Sequence, residues 1–129
     1  MRTQMLAISF LSVLSIGIAL DAVAQSVADN YVQTFKNNFF ISCSREMSSG
    51  SDAAPIDLAM QVCSCAAGDI VSSFSPSQLR NIESDIAKNY ASITPYVEKC
   101  VQDKTPKYME SHPEFLREYI RRHPELLQQ

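Results

Sequence analysis

Cys63-Ser64-Cys65 constrains this chain most, because it lies inside a segment whose apolar residues recur at helical spacing. On an α-helix, residues two apart point about 200° away from each other. Cys65 then lies on the side of Leu58 and Val62, away from Cys63. Two such cysteines cannot share a face, so each is expected to staple a different neighbour. Cys43 and Cys100 complete an even set of four. Cys43 should bond to this central segment, and Cys100 should tie a later helix to its other face. Whether Cys43 takes Cys63 or Cys65 is left open by spacing alone. Pairing Cys63 with Cys65 would close a small strained ring, the least favourable connectivity.

Disulfides compete here with two other uses of cysteine. Structural zinc sites place two to four residues between paired Cys, and this pair has one. Copper(I) tolerates the spacing, but the Met-rich surroundings of a copper carrier are missing from the sequence. A redox-active pair would need a helix N-terminus or a cation to lower a thiol pKa. Cys63 and Cys65 fall well inside a helix, and their nearest charge in sequence is Asp69. Two structural disulfides are the expected state, with no metal and no cofactor.

Disulfides need an oxidising compartment, and the N-terminus supplies the route. Arg2 precedes an apolar run from Met5 to Leu20, and Ala22-Val23-Ala24 follows with small residues. This pattern reads as a signal peptide over residues 1–24, cut before Gln25. The run is about long enough for a membrane anchor, but its Ser content, Asp21 and the small-residue site favour cleavage. No Cys lies near that site, which argues against a lipoprotein anchor. A periplasmic or secreted protein with no membrane insertion after cleavage is expected.

Cleavage would remove one basic and one acidic residue, so the formal charge of −3 is unchanged in the mature chain. With a pI near 5.3 there is no basic field for nucleic acid. About 105 residues bury only a modest core, so the staples carry weight.

The mature chain reads as helical throughout. Segment one, about Val27 to Met47, repeats Ala28, Tyr31, Val32, Phe35, Phe39 and Cys43 at helical steps, and a Ser/Gly/Asp turn ends it. Segment two runs from about Pro55 to Phe74, with Pro55 and Asp57 suited to a helix start. Its apolar face is traced by Ile56, Ala59, Met60, Cys63, Ala67, Ile70, Val71 and Phe74. Segment three opens on a capping box, Ser75-Pro76-Ser77-Gln78, and continues through Leu79, Ile82 and Ile86 to Tyr90. Segment four opens at Thr94-Pro95, with Val97, Cys100 and Val101 facing inward. Segment five, Ser111 to about Arg122, shows another capping-box spacing and an apolar stripe of Phe115, Leu116, Tyr119 and Ile120, and Pro124 ends it. The fold class is therefore all-α, a small disulfide-stapled bundle of four to five helices over residues 25–104 with a helical extension.

That extension, residues 105–129, is the more charged part of the chain and follows a balance of its own. From Lys104 onward it has five basic and four acidic residues, while the rest of the mature chain is acidic. A short repeat pairs His112-Pro113-Glu114-Phe115-Leu116 with His123-Pro124-Glu125-Leu126-Leu127. Leu116, Tyr119, Ile120 and Leu127 are candidate anchors for a protein partner. The competing reading packs the same stripe on the bundle as a fifth helix. The two His are candidate pH sensors, although such residues are more often simply exposed.

No catalytic constellation stands out. Both His lie near the C-terminus, the Cys are expected to be oxidised, and Glu83 and Asp85 sit on different helix faces. There is no phosphate loop, His-Glu-x-x-His motif or calcium loop. The expectation is a non-enzymatic protein.

Two resemblances bear on this. Phe39-x-x-x-Cys43, Val62-Cys63-Ser64-Cys65, Phe74-Ser75-Pro76-Ser77-Gln78-Leu79 and the late Cys100 together resemble a group of small exported bacterial four-cysteine helical proteins. The likeness covers about residues 31–101 and implies compartment and fold, since most of that group has no assigned function. Thr94 to Lys104 is similar to the segment around the second Cys of periplasmic acid-stress chaperones. Those helical proteins have one disulfide, where this chain has four Cys, and hold unfolded clients at low pH. The expected role is binding of a protein partner in the cell envelope, as an immunity-type inhibitor or an accessory subunit. The alternative is a pH-responsive chaperone.

Overall fold

The computed structural model describes the backbone of residues 4–128 and the side chains of residues 21–128. Among the described residues five α-helices follow in order: α1 (Gln4–Met47), α2 (Ile56–Ser73), α3 (Pro76–Ser84), α4 (Ile86–Ser111) and α5 (Pro113–Arg122). A 3-10 segment, Pro124–Gln128, follows. Arg2 of the expected export signal lies outside the described residues, as do the side chains of the apolar run to Leu20. Among the described residues no helix is long and apolar enough to cross a membrane.

α1 starts well before Val27 because no proline interrupts the residues upstream. Its side chains from Asp21 to Val27 are exposed, and packing begins around Tyr31 and Val32. Gly50 makes the turn to α2 at φ 90°, a conformation that other residues adopt at a cost. Ala54 N–H then closes the loop onto Met47 O at 2.8 Å.

α2 lies between α1 and α4, and the disulfides fasten it to each. Cys43 bonds to Cys63, and Cys65 bonds to Cys100. The expected division of labour is present, and the choice left open by spacing resolves to Cys43–Cys63. Two disulfides mark a fold suited to an oxidising environment.

Flanking on both sides also changes which α2 residues are buried. Leu58, Ala59, Val62, Cys63, Ala66, Ala67 and Ile70 are all buried. Ile56 and Met60, placed on the core face by periodicity, are 65% and 47% exposed. The buried arc is rotated toward Leu58, Val62 and Ala66, because α4 covers that flank. One core cluster joins Phe35, Ile70, Leu79, Ile82 and Ile93. The other joins Leu58, Val62, Ala66, Cys100 and Tyr108, and Phe39 packs against both.

The Ser75 capping box forms as its sequence requires. Ser75 Oγ accepts from Gln78 N–H at 3.3 Å, and Gln78 Oε1 accepts from Ser75 N–H at 2.8 Å. Ser75→Ala should cost about 1 kcal/mol, read as a lower urea midpoint at unchanged slope.

The expected start of the fourth helix and the expected Ser111 cap of the fifth are corrected. The break falls at Asp85, whose carboxylate accepts from Lys88 N–H at 3.1 Å and starts α4. Asn89 Nδ2 bridges the junction by donating to the Asn81 and Asp85 carbonyls. Ile86 and Tyr90 therefore leave the α3 stripe and are exposed. Pro95 lies inside α4, and Thr94 Oγ1 donates back to Tyr90 O instead of capping. Ser111 ends α4 with its hydroxyl on Lys107 O, and His112 stands before α5 with no side-chain cap. The change in charge at Lys104 falls within α4, which continues through Pro106 to bury Tyr108.

Candidate functional site

An open cleft of about 450 Å³ lies where the α1–α2 loop, the second half of α4 and α5 meet. Leu58, Val101, Met109 and Phe115 contribute apolar walls, and Asp52, Glu118, Arg122 and His123 are among the polar residues at its lining. Each wall has a local cause. Met47 arrives at the end of α1, Pro55 starts α2, and Pro113 turns the chain from α4 into α5.

The α4–α5 corner is latched to the start of α2. Tyr108 donates its hydroxyl proton to Asp57 at 2.8 Å. Asp57 sits in the first turn of α2, where the helix end favours negative charge. The His112 ring stacks on Tyr108 at 3.9 Å between centroids, and its Nε2 lies 3.9 Å from Asp57. Phe115 meets Tyr108 edge-on at 5.4 Å, which carries α5 against the core.

The latch sets opposite shifts on its two ends. The Tyr108 hydrogen bond, aided by backbone N–H groups and by His112, holds the Asp57 carboxyl below its usual range. Burial first, then the Asp57 contact, pushes the Tyr108 phenol up to about 12. Because the Asp57 value is depressed on folding, its contribution is present above the ordinary carboxylate range. It is lost as pH falls through the lowered folded value. Because the Tyr108 value is raised, its contribution is intact below pH about 10 and is lost as pH rises through about 12. The part of the near-ultraviolet circular dichroism that Tyr108→Phe removes should fall away as pH drops through the lowered Asp57 value and again as it rises through about 12. Its persistence at both extremes would count against the latch.

At the far end of α5, Glu118 takes both Arg121 and Arg122, with nitrogen–oxygen distances of 2.6 and 2.8 Å. Those hydrogen bonds pull the Glu118 carboxyl down to about 2. His123 Nδ1 lies 3.0 Å from Glu125.

The four expected anchors divide. Tyr119 lines the cleft, Ile120 is half-buried, and Leu116 and Leu127 are exposed and do not line it. Periodicity on α5 found Tyr119 and Phe115. It could not find Met47, Leu58 or Val101, which come from other elements and meet only in the fold. Asp57 was visible as a helix-start residue but not as the partner of Tyr108.

Other clusters are committed elsewhere. Cys65 Sγ, Cys100 Sγ and an Asp69 carboxylate oxygen lie within 4.8 Å of one another. The sulfurs are bonded together, which leaves no thiolate ligand, and Asp69 pairs with Lys99 at 3.2 Å. Glu83 accepts from the Tyr31 hydroxyl at 2.6 Å, while Asp85 caps α4. Comparison of the chain with protein-family models, curated proteins and solved structures finds no match.

Proposed function

We propose that this is an exported, non-enzymatic helical protein that acts by binding a protein partner in the cell envelope. Residues 1–24 serve as its signal, and the mature chain works in the periplasm or outside the cell as an immunity-type inhibitor or accessory subunit. The observation that carries the reading is the apolar cleft beside Tyr119. Open apolar surface rimmed by charge suits a partner's side chains. The disulfides and the likeness to exported four-cysteine proteins support the compartment. Engagement of His112, His123 and all four cysteines in structural contacts supports binding over catalysis.

A photoreactive phenylalanine analogue in place of Tyr119 tests this in the native envelope. The expected result is one discrete protein adduct, absent when the analogue replaces exposed Thr34 on α1 and lost on Met109→Glu in the cleft. Equal labelling from both positions would count against a specific partner.

The Asp57–Tyr108 latch favours a second reading, a pH-responsive chaperone. Acid that protonates Asp57 would loosen α5 and uncover Phe115 and its apolar neighbours. This reading expects an environment-sensitive dye to bind as pH falls below the carboxylate range, together with protection of an unfolded client. Dye binding flat from pH 7 to pH 2 would exclude it.

A further inference from the structure

The C-terminal region contains the same small device twice, eleven residues apart. Tyr108, His112, Pro113, Glu114 and Leu116 recur as Tyr119, His123, Pro124, Glu125 and Leu127. Phe115 is matched by the apolar Leu126. The backbone repeats too: His112 has φ −132° and ψ 72°, and His123 has φ −124° and ψ 65°. Each His ends a helix, and each following Pro opens the next helical segment. Phe115 N–H donates to His112 O at 3.0 Å, and Leu126 N–H to His123 O at 3.1 Å. Each Tyr ring lies against its His, with centroids 3.9 Å apart in the first copy and 4.6 Å in the second.

What differs is occupancy. The first copy grips the start of α2, where Asp57 takes the Tyr108 hydroxyl and Leu58 packs in the same cluster as Tyr108. Tyr108 is 6% exposed as a result. In the second copy Tyr119 is 37% exposed and Leu126 44%. Among the described residues nothing accepts from the Tyr119 hydroxyl. The residues before each His also differ. Glu110 and Ser111 precede the first His, but Arg121 and Arg122 precede the second. Those two guanidinium groups share the Glu118 carboxylate. With Glu125 on His123 and Asp52 on the cleft lining there is no net positive charge about the slot, so only the Tyr119 hydroxyl and the repeat call for an acidic residue there.

We propose that Tyr119 and His123 receive the start of a partner protein's helix, one with an acidic residue in its first turn followed by an apolar residue. This is the chemistry that Asp57 and Leu58 present to Tyr108 and His112 within the chain. The inference rests on the partner-binding reading above and specifies what the partner must offer. The carboxylate accepts the Tyr119 hydroxyl and lies toward the basic end of α5. The apolar residue covers Leu126 and enters the cleft that Tyr119 lines.

The test is a nuclear magnetic resonance titration of the intact oxidised chain. The probe is an acetylated, amidated peptide with the sequence of residues 53–62, Ala-Ala-Pro-Ile-Asp-Leu-Ala-Met-Gln-Val. Tyr119 and His123 side-chain resonances should shift, with binding about tenfold weaker for the peptide carrying Asp57→Asn. Tyr119→Phe in the protein should weaken binding similarly, and unchanged Tyr108 and His112 resonances would show that its fold is intact. Equal binding of both peptides, no shift, or shifts at Tyr108 and His112 alone would overturn the proposal. Concentration-dependent shifts in the chain alone, abolished by Asp57→Asn in the protein, would assign the slot to a second copy and overturn a separate partner. A specific adduct from position 119 with no preference for the acidic peptide would retain the partner and reject this slot chemistry.

Discussion

Reduction of both disulfides should unfold most of the mature chain. The Cys43–Cys63 and Cys65–Cys100 bonds span separations of 20 and 35 residues. Chain-entropy estimates for loops of those sizes are about 3 and 4 kcal/mol. Together they match much of the roughly 5–15 kcal/mol that holds an ordinary domain. The two loops follow one another in sequence, so each bond restricts a separate part of the unfolded chain. Losing Cys65–Cys100 should be the more damaging, because it closes the longer loop and its loss frees α4 from α2. Urea unfolding of the oxidised chain, the two double Cys→Ala variants and the reduced chain checks the order. A reduced chain with the oxidised midpoint would refute it.

The second large effect is expected at Ile70. It is among the largest fully buried side chains and meets Phe35, Leu79, Ile82 and Ile93 from three other helices. Ile70→Ala should cost roughly 2–5 kcal/mol, lost transfer energy plus a residual cavity. The upper part of that range is expected, because the disulfides hold α2 on both flanks and restrict collapse into the void. Met60→Ala is the internal control: periodicity puts both residues on one apolar face, yet Met60 is exposed. Its substitution should stay within about 0.5 kcal/mol. Similar losses at both positions would mean that the buried arc is not rotated as described.

Local sequence signals succeeded where a single residue completed its own hydrogen bonds. Ser75 with Gln78 needs only its own turn, so its capping box could be read directly. Thr94-Pro95 and Ser111-His112-Pro113-Glu114 have the same grammar without the outcome. Thr94 and Ser111 each found a carbonyl four residues back in a helix that already existed. Asp85 was the better cap, but its advantage depends on Asn89 closing the junction and on Ile82 and Ile93 meeting in one core. The cleft was less legible still. Its walls come from segments far apart in sequence, and although Val101, Phe115 and Tyr119 showed themselves on apolar stripes, nothing local said that those stripes meet.

From sequence alone follow the all-helical class, the turn after Met47, the Ser75 cap and the rule that Cys63 and Cys65 serve different neighbours. Each rests on local geometry, whether the angle between nearby residues on a helix, the cap's own hydrogen bonds or the backbone freedom of a glycine turn, and none needs a partner from a distant element. The tertiary structure decided that Cys43 takes Cys63, that α4 covers Leu58 and Val62, and that Tyr108 reaches Asp57. Those are choices between flanks of α2. Periodicity states how far apart two side chains point, whereas the packing of whole helices determines what stands opposite them.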